Sequence, residues 1–199
     1  MSHIQHLRKD KVLAKIIDKK NPVSLTIEKN IYLHVCYSIM SQQLSTKVAA
    51  IIHERFLELF DNKKPNLEKI AATPFATLKS IGLSDSKTNY VLNVCDYFIE
   101  HKLTDAKLHK MKDEEVIQTL TAIKGVGHWT AEMVLMFAMG REDVFSADDL
   151  GIQQQMCSLY SIDNTSKKQM KIDMENIAAK WSPYRSYACR YLWGWKDDK

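Results

Sequence analysis

The sequence predicts an all-α fold. Apolar residues recur every three to four positions over most of the 199 residues, no convincing stretch alternates apolar and polar residues as a half-buried strand would, and only six glycines and four prolines interrupt the chain. A chain of this length can bury a substantial core, either as one medium domain or as two closely packed lobes. No flexible linker marks a boundary, so any division into lobes must come from how the helices pack.

The composition is that of an ordinary soluble globular protein, with 45% hydrophobic and 26% charged residues. The net charge of +4 permits a polyanionic partner without requiring one. The first twenty residues carry charges throughout and lack the apolar centre of a signal peptide, and no segment approaches the ~20 apolar residues of a membrane span. We therefore expect a cytoplasmic protein that does not bind a membrane.

The cysteines and histidines predict no metal site formed by side chains. Four cysteines lie far apart, with no CxxC pair and no histidine at ligand spacing: Cys36, Cys95, Cys157 and Cys189. We expect them to be reduced thiols of the core, as in a reducing compartment. The histidines form no HExxH or HxH pattern, and the chain contains neither a Walker loop nor a dinucleotide fingerprint.

The chain before residue 72 predicts helices separated by polar breaks. An amphipathic stripe covers residues 4–17, and Asn21-Pro22 is predicted to end that helix. Residues 31–40 are mostly apolar and predict a second helix, which Ser41 to Ser45 interrupt. The helix after this break is predicted to bury one face, formed by Val48, Ile51, Ile52, Phe56, Leu59 and Phe60.

Later helix starts are marked by capping residues. Thr73-Pro74, Ser84, Ser166 and Ser182-Pro183 each precede a helical pattern. The segment LKSIGLSDSKTNYV around Ser84 faintly echoes the later segment LTAIKGVGHWTAEMV. This likeness predicts an internal repeat of a helix–turn–helix unit.

Residues 113–155 combine a glycine hairpin with a pair of acidic residues. A first helix places Val116, Leu120 and Ile123 on one face. The tetrapeptide KGVG at 124–127 then predicts a tight hairpin, because glycine allows positive φ and close backbone approach. The next helix, from about His128 to Met139, is apolar on nearly every side and is expected to be buried, with Gly140 placed to end it.

The hairpin predicts a site for one phosphate group. Backbone amides at a helix start form a positive concavity, to which Lys124 adds a charge. Such binding is independent of base sequence and is the kind that positions a protein on DNA. The candidate residues are Lys124, Gly125, Val126, Gly127 and His128. An ordinary turn between two packed helices explains the same residues equally well.

Two adjacent aspartates follow the hairpin. Asp148 and Asp149 come after the non-periodic segment Phe145-Ser146-Ala147 and precede an amphipathic helix. Ser146 or Asp148 is expected to cap that helix, since one side chain suffices for the purpose. The other aspartate is then available for chemistry, and Asp149 lies 22 residues beyond Gly127 in the chain.

A pair of glutamines, Gln42 and Gln43, lies between two apolar runs. The simpler interpretation is a solvated helix face. If the pair lies in a cleft instead, its amides could contact base edges or fill a gap in a duplex.

Three segments together resemble a known family. LTAIKGVGHWTAEMVLMFAMGREDVFSADDLGIQQ is similar to the helix-hairpin-helix and aspartate signature of the base-excision DNA glycosylase superfamily (HhH-GPD). IMSQQLSTKVAAIIHERF and WSPYRSYACRYLWGW resemble the two flanking signatures of its DNA-3-methyladenine glycosylase II branch. The resemblance covers nearly the whole chain. The larger bacterial enzyme of this branch carries an extra N-terminal β-domain, which we do not expect in these 199 residues, so the chain resembles the compact form.

The resemblance implies two helical lobes with an active-site cleft between them. One lobe would span residues 31–141 and the other would join residues 1–30 to 142–199. Asp149 matches the catalytic aspartate of the family, and Asp148 is left as the helix cap. Gln42 and Gln43 match the segment that fills the gap left by a flipped nucleotide. The base pocket would be lined by Trp129 and Trp193, with Met133 and Leu150 where the larger enzyme has tyrosines.

The same resemblance implies a monofunctional enzyme without a cofactor. Bifunctional members carry a catalytic lysine at the position of Trp129, and without an amine no Schiff base can form there. Iron–sulfur members carry four grouped cysteines after the aspartate, where this chain has only Cys157 and Cys189. A monovalent cation, Na⁺ or K⁺, at the hairpin carbonyls is the one bound ion that the resemblance allows.

The expected partner is double-stranded DNA with alkylated bases of the 3-methyladenine or 7-methylguanine type, bound by a monomer. In a bacterium the protein would associate with the nucleoid, and in a eukaryote it would be nuclear. Two alternatives stay open at this point. One is a glycosylase for deaminated or mismatched bases, and the other is a helix-hairpin-helix module that binds DNA without catalysis.

Overall fold

The computed structural model describes residues 2–18 and 23–196, and within these ranges the chain forms helices and no strand. The all-α prediction is confirmed. Within the same ranges, no helix combines the length and the apolar character that crossing a bilayer requires. Packing divides the chain into two compact units, Glu28–Val134 and Met1–Ile27 with Leu135–Lys199.

The unit Glu28–Val134 consists of helices joined by short turns. They are α3 (Ile31–Ser41), α4 (Thr46–Glu58), α5 (Leu67–Ala71), α6 (Phe75–Ser80), α7 (Asp85–Glu100), α8 (Asp105–Lys110), α9 (Asp113–Thr121) and α10 (His128–Met133), with a 3₁₀ turn at Asp61–Lys63 after α4. Helix α3 packs against α4, α7 and α10 and buries Val35, Cys36 and Ile39. It is the central helix of this unit.

Short polar side chains define several helix starts in this unit. Ser45 accepts a hydrogen bond from the N–H of Val48, and Ser84 accepts one from the N–H of Lys87. Each bond satisfies a backbone donor that the helix itself leaves unpaired. The prediction that Ser84 starts a helix is confirmed. Pro74, not Thr73, occupies the N-cap position of α6.

The predicted buried face of α4 is only partly correct. Ile52, Phe56 and Phe60 are buried, but Val48 and Ile51 are exposed. Helix α4 packs on α3 along one stripe, so apolar residues in its first two turns that lie beside this stripe stay in contact with solvent.

The other unit joins the N-terminal helices to the C-terminal ones. It contains α1 (His3–Leu7), α2 (Lys11–Ile17), α11 (Leu150–Tyr160), α12 (Lys167–Ala178), a 3₁₀ turn at Ala179–Trp181, and α13 (Arg185–Lys196). Asn21-Pro22, predicted to end the first helix, lies outside the described residues. Helix α11 packs against α2, α12 and α13, and Ser166 caps α12 as predicted.

Asp10 ties the N-terminal segment to the C-terminal helices of its unit. Its carboxylate accepts hydrogen bonds from the hydroxyl of Tyr160 at 2.7 Å and from the indole N–H of Trp181 at 2.9 Å. Burial alone would raise the pKa of Asp10, but these hydrogen bonds outweigh burial and lower the pKa below its usual value. The carboxylate therefore stays ionised and fixes α2 in the unit.

The units divide at 27/28 and 134/135, and the predicted lobe boundaries lie at about 30/31 and 141/142. Residues 135–142 pack with the C-terminal helices, because Ser186 donates its N–H to the carbonyl of Glu142 at 2.9 Å and its hydroxyl to the carbonyl of Arg141 at 2.6 Å. A Cβ on Gly140 would lie 3.1 Å from the carbonyl oxygen of Thr26, so this segment also contacts the N-terminal part of the same unit closely.

The helix predicted from His128 to Met139 changes its character midway. Helix α10 ends at Met133, and Val134–Ala138 form a π-helical turn, which the sequence pattern did not predict. His128 and Trp129 are exposed, so the expectation of a wholly buried helix is wrong for its first turn. Gly140 ends the helical stretch at φ +64°, as predicted.

Candidate active site

Asp149 is the N-cap of α11. Its Oδ1 accepts a hydrogen bond from the N–H of Ile152 at 2.8 Å, with extended backbone angles typical of a cap. The prediction that Asp148 caps this helix is therefore wrong. Two adjacent aspartates have the same capping propensity, and the backbone turn that starts at Asp149 decides between them. The cap fixes the carboxylate of Asp149 at the positive end of a helix dipole.

A second donor holds the same carboxylate oxygen. The indole N–H of Trp193, on α13, donates to Oδ1 of Asp149 at 2.8 Å. Hydrogen bonds to the charged form of a carboxylate stabilise that form and restrict its orientation. Asp149 is thus held from its own helix and from α13.

Trp193 is itself held by an aromatic neighbour. The ring of Phe137 lies 5.4 Å from that of Trp193, at an interplanar angle of 33°. The guanidinium carbon of Arg190 lies over the ring of Phe137, 4.9 Å from its centroid, which is within range of a cation–π contact. Phe137 belongs to the π-helical turn, a distortion that often occurs at functional sites.

Gly151 leaves room for Asp149 and Trp193 to meet. A Cβ at this position would lie 3.0 Å from Oδ1 of Asp149 and 3.2 Å from Cδ1 of Trp193. Both distances are shorter than ordinary van der Waals contacts. A larger residue here would have to displace the hydrogen bond between Asp149 and Trp193.

Asp148 has a different environment, although it is the neighbouring residue. Its carboxylate forms an ion pair with the ammonium group of Lys171 on α12. The backbone just before it is fixed by Gln153, whose amide donates to the carbonyl of Ala147 at 2.8 Å. Asp148 therefore attaches the segment before α11 to α12, while Asp149 contacts Trp193 on α13.

The hairpin at 124–127 has the predicted shape at its first glycine. Gly125 adopts φ +106°, a region that favours glycine, and a Cβ there would overlap the ring of Tyr90. Gly127 differs from the prediction, because its φ of −92° is open to any residue and a Cβ would meet nothing within 4 Å. Gly125 is required by the fold, whereas Gly127 leaves open space in front of the helix start.

The start of α10 has no side chain that caps it. Gly127 occupies the N-cap position and makes no side-chain hydrogen bond. Lys124 and His128 beside it are exposed, and Nδ1 of His128 lies 3.3 Å from Oε1 of Glu132. The positive end of the helix dipole and the exposed side chain of Lys124 thus lie at one surface, which is the arrangement predicted for a phosphate site.

Gln42 and Gln43 lie in a turn and not on a solvated helix face. Gln42 is the C-cap of α3, and Gln43 has a left-handed backbone with φ +59°. Both side chains line a cavity of about 910 Å³ together with Trp129. The other lining residues are Glu28, His34, Tyr37, Ser38, Ser41, Leu44 and His53.

The remaining predicted pocket residues differ in exposure. Met133 is 6% exposed, Trp129 is 39% exposed and Leu150 is 61% exposed. Leu150 is the first residue of α11, directly after Asp149. An exposed leucine next to a held carboxylate can contact a ligand, whereas Met133 belongs to the core of its unit.

Sequence comparison identifies the family. The model of the HhH-GPD superfamily of base excision DNA repair proteins matches residues 36–180, a range that includes both the hairpin and Asp149. The chain belongs to this superfamily. DNA-3-methyladenine glycosylase 1 of Schizosaccharomyces pombe is 31% identical over 92% of this chain and 80% of its own length. DNA-3-methyladenine glycosylase 2 of Escherichia coli is 24% identical over 81% of this chain and 57% of its own length.

Solved structures of superfamily members have the same fold. The DNA-3-methyladenine glycosidase of Bacillus halodurans aligns with a TM-score of 0.81 and 33% identity, covering 95% of this chain and 86% of that one. The 3-methyladenine DNA glycosylase of Schizosaccharomyces pombe, in complex with abasic DNA, aligns with a TM-score of 0.84 and 29% identity, covering 97% and 95%. The predicted superfamily and its 3-methyladenine glycosylase branch are confirmed.

Each unit of this HhH-GPD chain brings together a different part of the predicted site. In the unit Glu28–Val134, the cavity joins Gln42 and Gln43 to Trp129. In the other unit, Asp149 and Trp193 are in direct contact. The roles assigned to these residues, and the cleft between the lobes, stay predictions.

Sequence reasoning missed how Asp149 is held. It placed Trp193 in the base pocket but did not foresee its hydrogen bond to Asp149, and it did not single out Gly151, Phe137 or Lys171. The one local signal was Gly151, a glycine in the first turn of a helix, where it lowers helix propensity and therefore indicates a close approach. The other contacts join distant parts of the chain and leave no local pattern.

The predicted internal repeat is visible in the HhH-GPD fold. Between α6 and α7, Gly82 adopts φ +109°, close to the +106° of Gly125 between α9 and α10. The residue after each glycine, Leu83 and Val126, is buried. The chain therefore contains two glycine hairpins of the same design in one unit.

Proposed function

We propose that this chain is a monofunctional DNA glycosylase that removes alkylated bases, of the 3-methyladenine and 7-methylguanine type, from duplex DNA. The observation that carries the proposal is the carboxylate of Asp149, held by the N–H of Ile152 and the indole of Trp193 in a chain of the 3-methyladenine glycosylase branch. A carboxylate fixed in this way can stabilise a positive charge that develops on a sugar.

The reaction begins when the damaged nucleotide leaves the base stack, at a cost of a few kcal/mol. Alkylation at N3 or N7 makes a purine cationic, so its bond to C1′ is weak. When this bond breaks, the electron pair leaves with the base, which becomes neutral, and positive charge develops on the sugar. Asp149 stabilises that charge and orients a water molecule. The water oxygen then bonds to C1′ and its proton passes to the carboxylate or to solvent.

Trp129 supports hydrolysis without strand cleavage. An enzyme that also cuts the backbone uses an amine to form a Schiff base with C1′. Trp129 stands at the position where the bifunctional members resembled by this chain carry their lysine. An aromatic ring there favours contact with a cationic base, which cation–π attraction stabilises by ~0.5–2 kcal/mol.

The hairpin is proposed to bind one phosphate of the DNA backbone, and Gln42 and Gln43 to fill the gap that the flipped nucleotide leaves. The proposal includes a monomer and no cofactor. A Na⁺ or K⁺ ion at the hairpin carbonyls stays the one ion that the family resemblance allows, and the proposed reaction routes no step through it.

A base-release assay tests the proposal. The protein is incubated with duplexes that each carry one lesion: 3-methyladenine, 7-methylguanine, hypoxanthine, uracil or 8-oxoguanine. Chromatography then measures the free bases. We expect release of the two methylated purines, and strand breaks only after added alkali. Release of uracil or hypoxanthine alone would contradict the substrate class, strand breaks without alkali would contradict monofunctional chemistry, and no release would contradict catalysis.

A further inference from the structure

The turn at Gln42–Gln43 has an unusual backbone for its residue type. Gln43 adopts φ +59°, and a non-glycine residue in the left-handed region costs of the order of 1 kcal/mol or more. Gln42 ends α3, and α4 begins at Thr46, so only a few residues connect the two helices. Contacts with neighbouring helices must therefore stabilise this conformation.

Lys87 supplies such contacts from α7. Its ammonium group donates to the carbonyl of Gln42 at 2.6 Å and to the carbonyl of Met40 at 3.0 Å. Both acceptors are backbone oxygens at the end of α3, where helix carbonyls lack partners within the helix. Lys87 is half-buried, and burial lowers its pKa. The charge is thus directed at the protein backbone.

The position of Lys87 is set by the first glycine hairpin. Lys87 is the third residue of α7, and its N–H donates to the hydroxyl of Ser84, the N-cap. The hairpin of Gly82 therefore delivers a lysine to the turn, whereas the hairpin of Gly125 presents a helix start to solvent.

A second network holds the turn from α4. The hydroxyl of Ser41 donates to the carbonyl of Tyr37 at 2.8 Å, and Nε2 of His53 lies 2.9 Å from the same hydroxyl. The rings of Tyr37 and His53 are 4.5 Å apart. Burial lowers the pKa of His53 and so favours the neutral imidazole. The residue just before Gln42 is thus fixed independently of Lys87.

We propose that Lys87 is a positioning residue that holds the Gln42–Gln43 turn in the shape that enters the duplex. This inference rests on the proposed function, because it assumes that the turn fills the gap left by a flipped nucleotide. If the turn is already ordered in the free protein, binding does not have to offset the entropy lost in ordering it. Loss of the two hydrogen bonds from Lys87 lets the turn sample other conformations and shifts the equilibrium against flipping.

The test compares Lys87→Met with Lys87→Arg, and uses Lys110→Met as the matched control. Lys110 is an exposed lysine of α8, so its replacement removes one charge without touching the turn. Two substrates are used: a duplex with a single 7-methylguanine, and the same lesion in an unpaired bubble that needs no flipping from a stack. Base release is measured at saturating enzyme, together with 2-aminopurine fluorescence beside the lesion and the melting temperature.

We expect Lys87→Met, which removes both hydrogen bonds, to slow base release from the duplex by at least about tenfold, since loss of even one hydrogen bond from a charged donor produces a factor of that size. The fluorescence change should weaken in parallel. Release from the bubble should match the wild type, and Lys87→Arg should recover part of the duplex activity. Lys110→Met should behave as the wild type on both substrates.

Two results would overturn the inference. One is an equal loss on duplex and bubble, which would mean that Lys87 supports the fold or the chemistry, and the other is no loss on the duplex. Neither result resembles failure of the proposed function, in which the wild-type protein releases no methylated base from either substrate.

Discussion

The two glycine hairpins of the unit Glu28–Val134 have the same backbone conformation at their first glycine but differ in the residue that caps the following helix. Gly82 and Gly125 have φ values of +109° and +106°, and each is followed by a buried apolar residue. Two residues after Gly82 comes Ser84, whose hydroxyl caps α7. Two residues after Gly125 comes Gly127, which has no side chain to cap α10. One hairpin is closed by the protein, and the other is open to a partner.

Charge follows the same division. Asp85, the first residue of α7, forms an ion pair with Lys79 at 2.6 Å. The equivalent residue of α10 is His128, and Lys124 precedes it. An aspartate at a helix start stabilises the helix, because its negative charge interacts favourably with the helix dipole, but the same charge repels a phosphate. The comparison shows that the protein itself supplies an acceptor at the start of α7, whereas the N-cap of α10 supplies none, as the proposed phosphate site requires.

The largest effect is expected at the glycines that both hairpins need. Gly125→Ala should lower the free energy of unfolding by ~3 kcal/mol, because the methyl group overlaps the ring of Tyr90 and φ is positive. Gly82→Ala should cost less, ~1–2 kcal/mol, because its Cβ lies 2.9 Å from Cδ1 of Ile52, the mobile end of a side chain. Urea unfolding followed by circular dichroism measures both. A larger loss of unfolding free energy for Gly82→Ala than for Gly125→Ala would contradict the difference in packing on which the comparison rests.

A smaller effect is expected from substitutions at the N-cap positions, and it should change DNA affinity without changing stability. Gly127→Asp should weaken binding to undamaged duplex about tenfold, since the carboxylate takes the place of a phosphate at the helix start. Stability should not fall, because a Cβ meets no atom within 4 Å and aspartate is a good N-cap. Fluorescence anisotropy measures the affinity.

Ser84→Gly is the matched control for the caps. It should reduce stability by only a few tenths of a kcal/mol and leave the affinity for undamaged duplex unchanged. If Ser84→Gly and Gly127→Asp weakened binding equally, both hairpins would be DNA contacts and the distinction between them would be lost.

The elements that depend on local chemistry could be predicted from the sequence. Ser84 and Ser166 cap helices as expected, and Gly125 and Gly140 have positive φ, because capping and left-handed turns follow from single residue types. The all-α class followed from hydrophobic periodicity, which nearly every helix carries.

The contacts that decide the candidate site could not be predicted. Asp148 and Asp149 are the same residue type, and the hydrogen bond that distinguishes Asp149 comes from Trp193, 44 residues away. The π-helical turn at Val134–Ala138 has no local signal, and the exposure of Val48 depends on which stripe of α4 meets α3. Each of these features depends on tertiary packing.

The central claim is that the hairpin of Gly125 holds DNA while Asp149 performs the chemistry, and Asp149→Asn tests it most directly. Asparagine keeps an oxygen that can accept from Ile152 and Trp193 and is an equally good N-cap, so the fold should be retained. Only the negative charge is lost, and Asp148→Asn removes the same charge from the neighbouring residue.

The measurement is single-turnover release of 7-methylguanine at saturating enzyme, together with the affinity for the same duplex. Asp149→Asn should lower the rate by at least ~10²-fold and leave the affinity within about twofold of the wild type, and Asp148→Asn should lose much less activity. A rate for Asp149→Asn equal to that of the wild type would contradict the assignment of Asp149 as the catalytic residue.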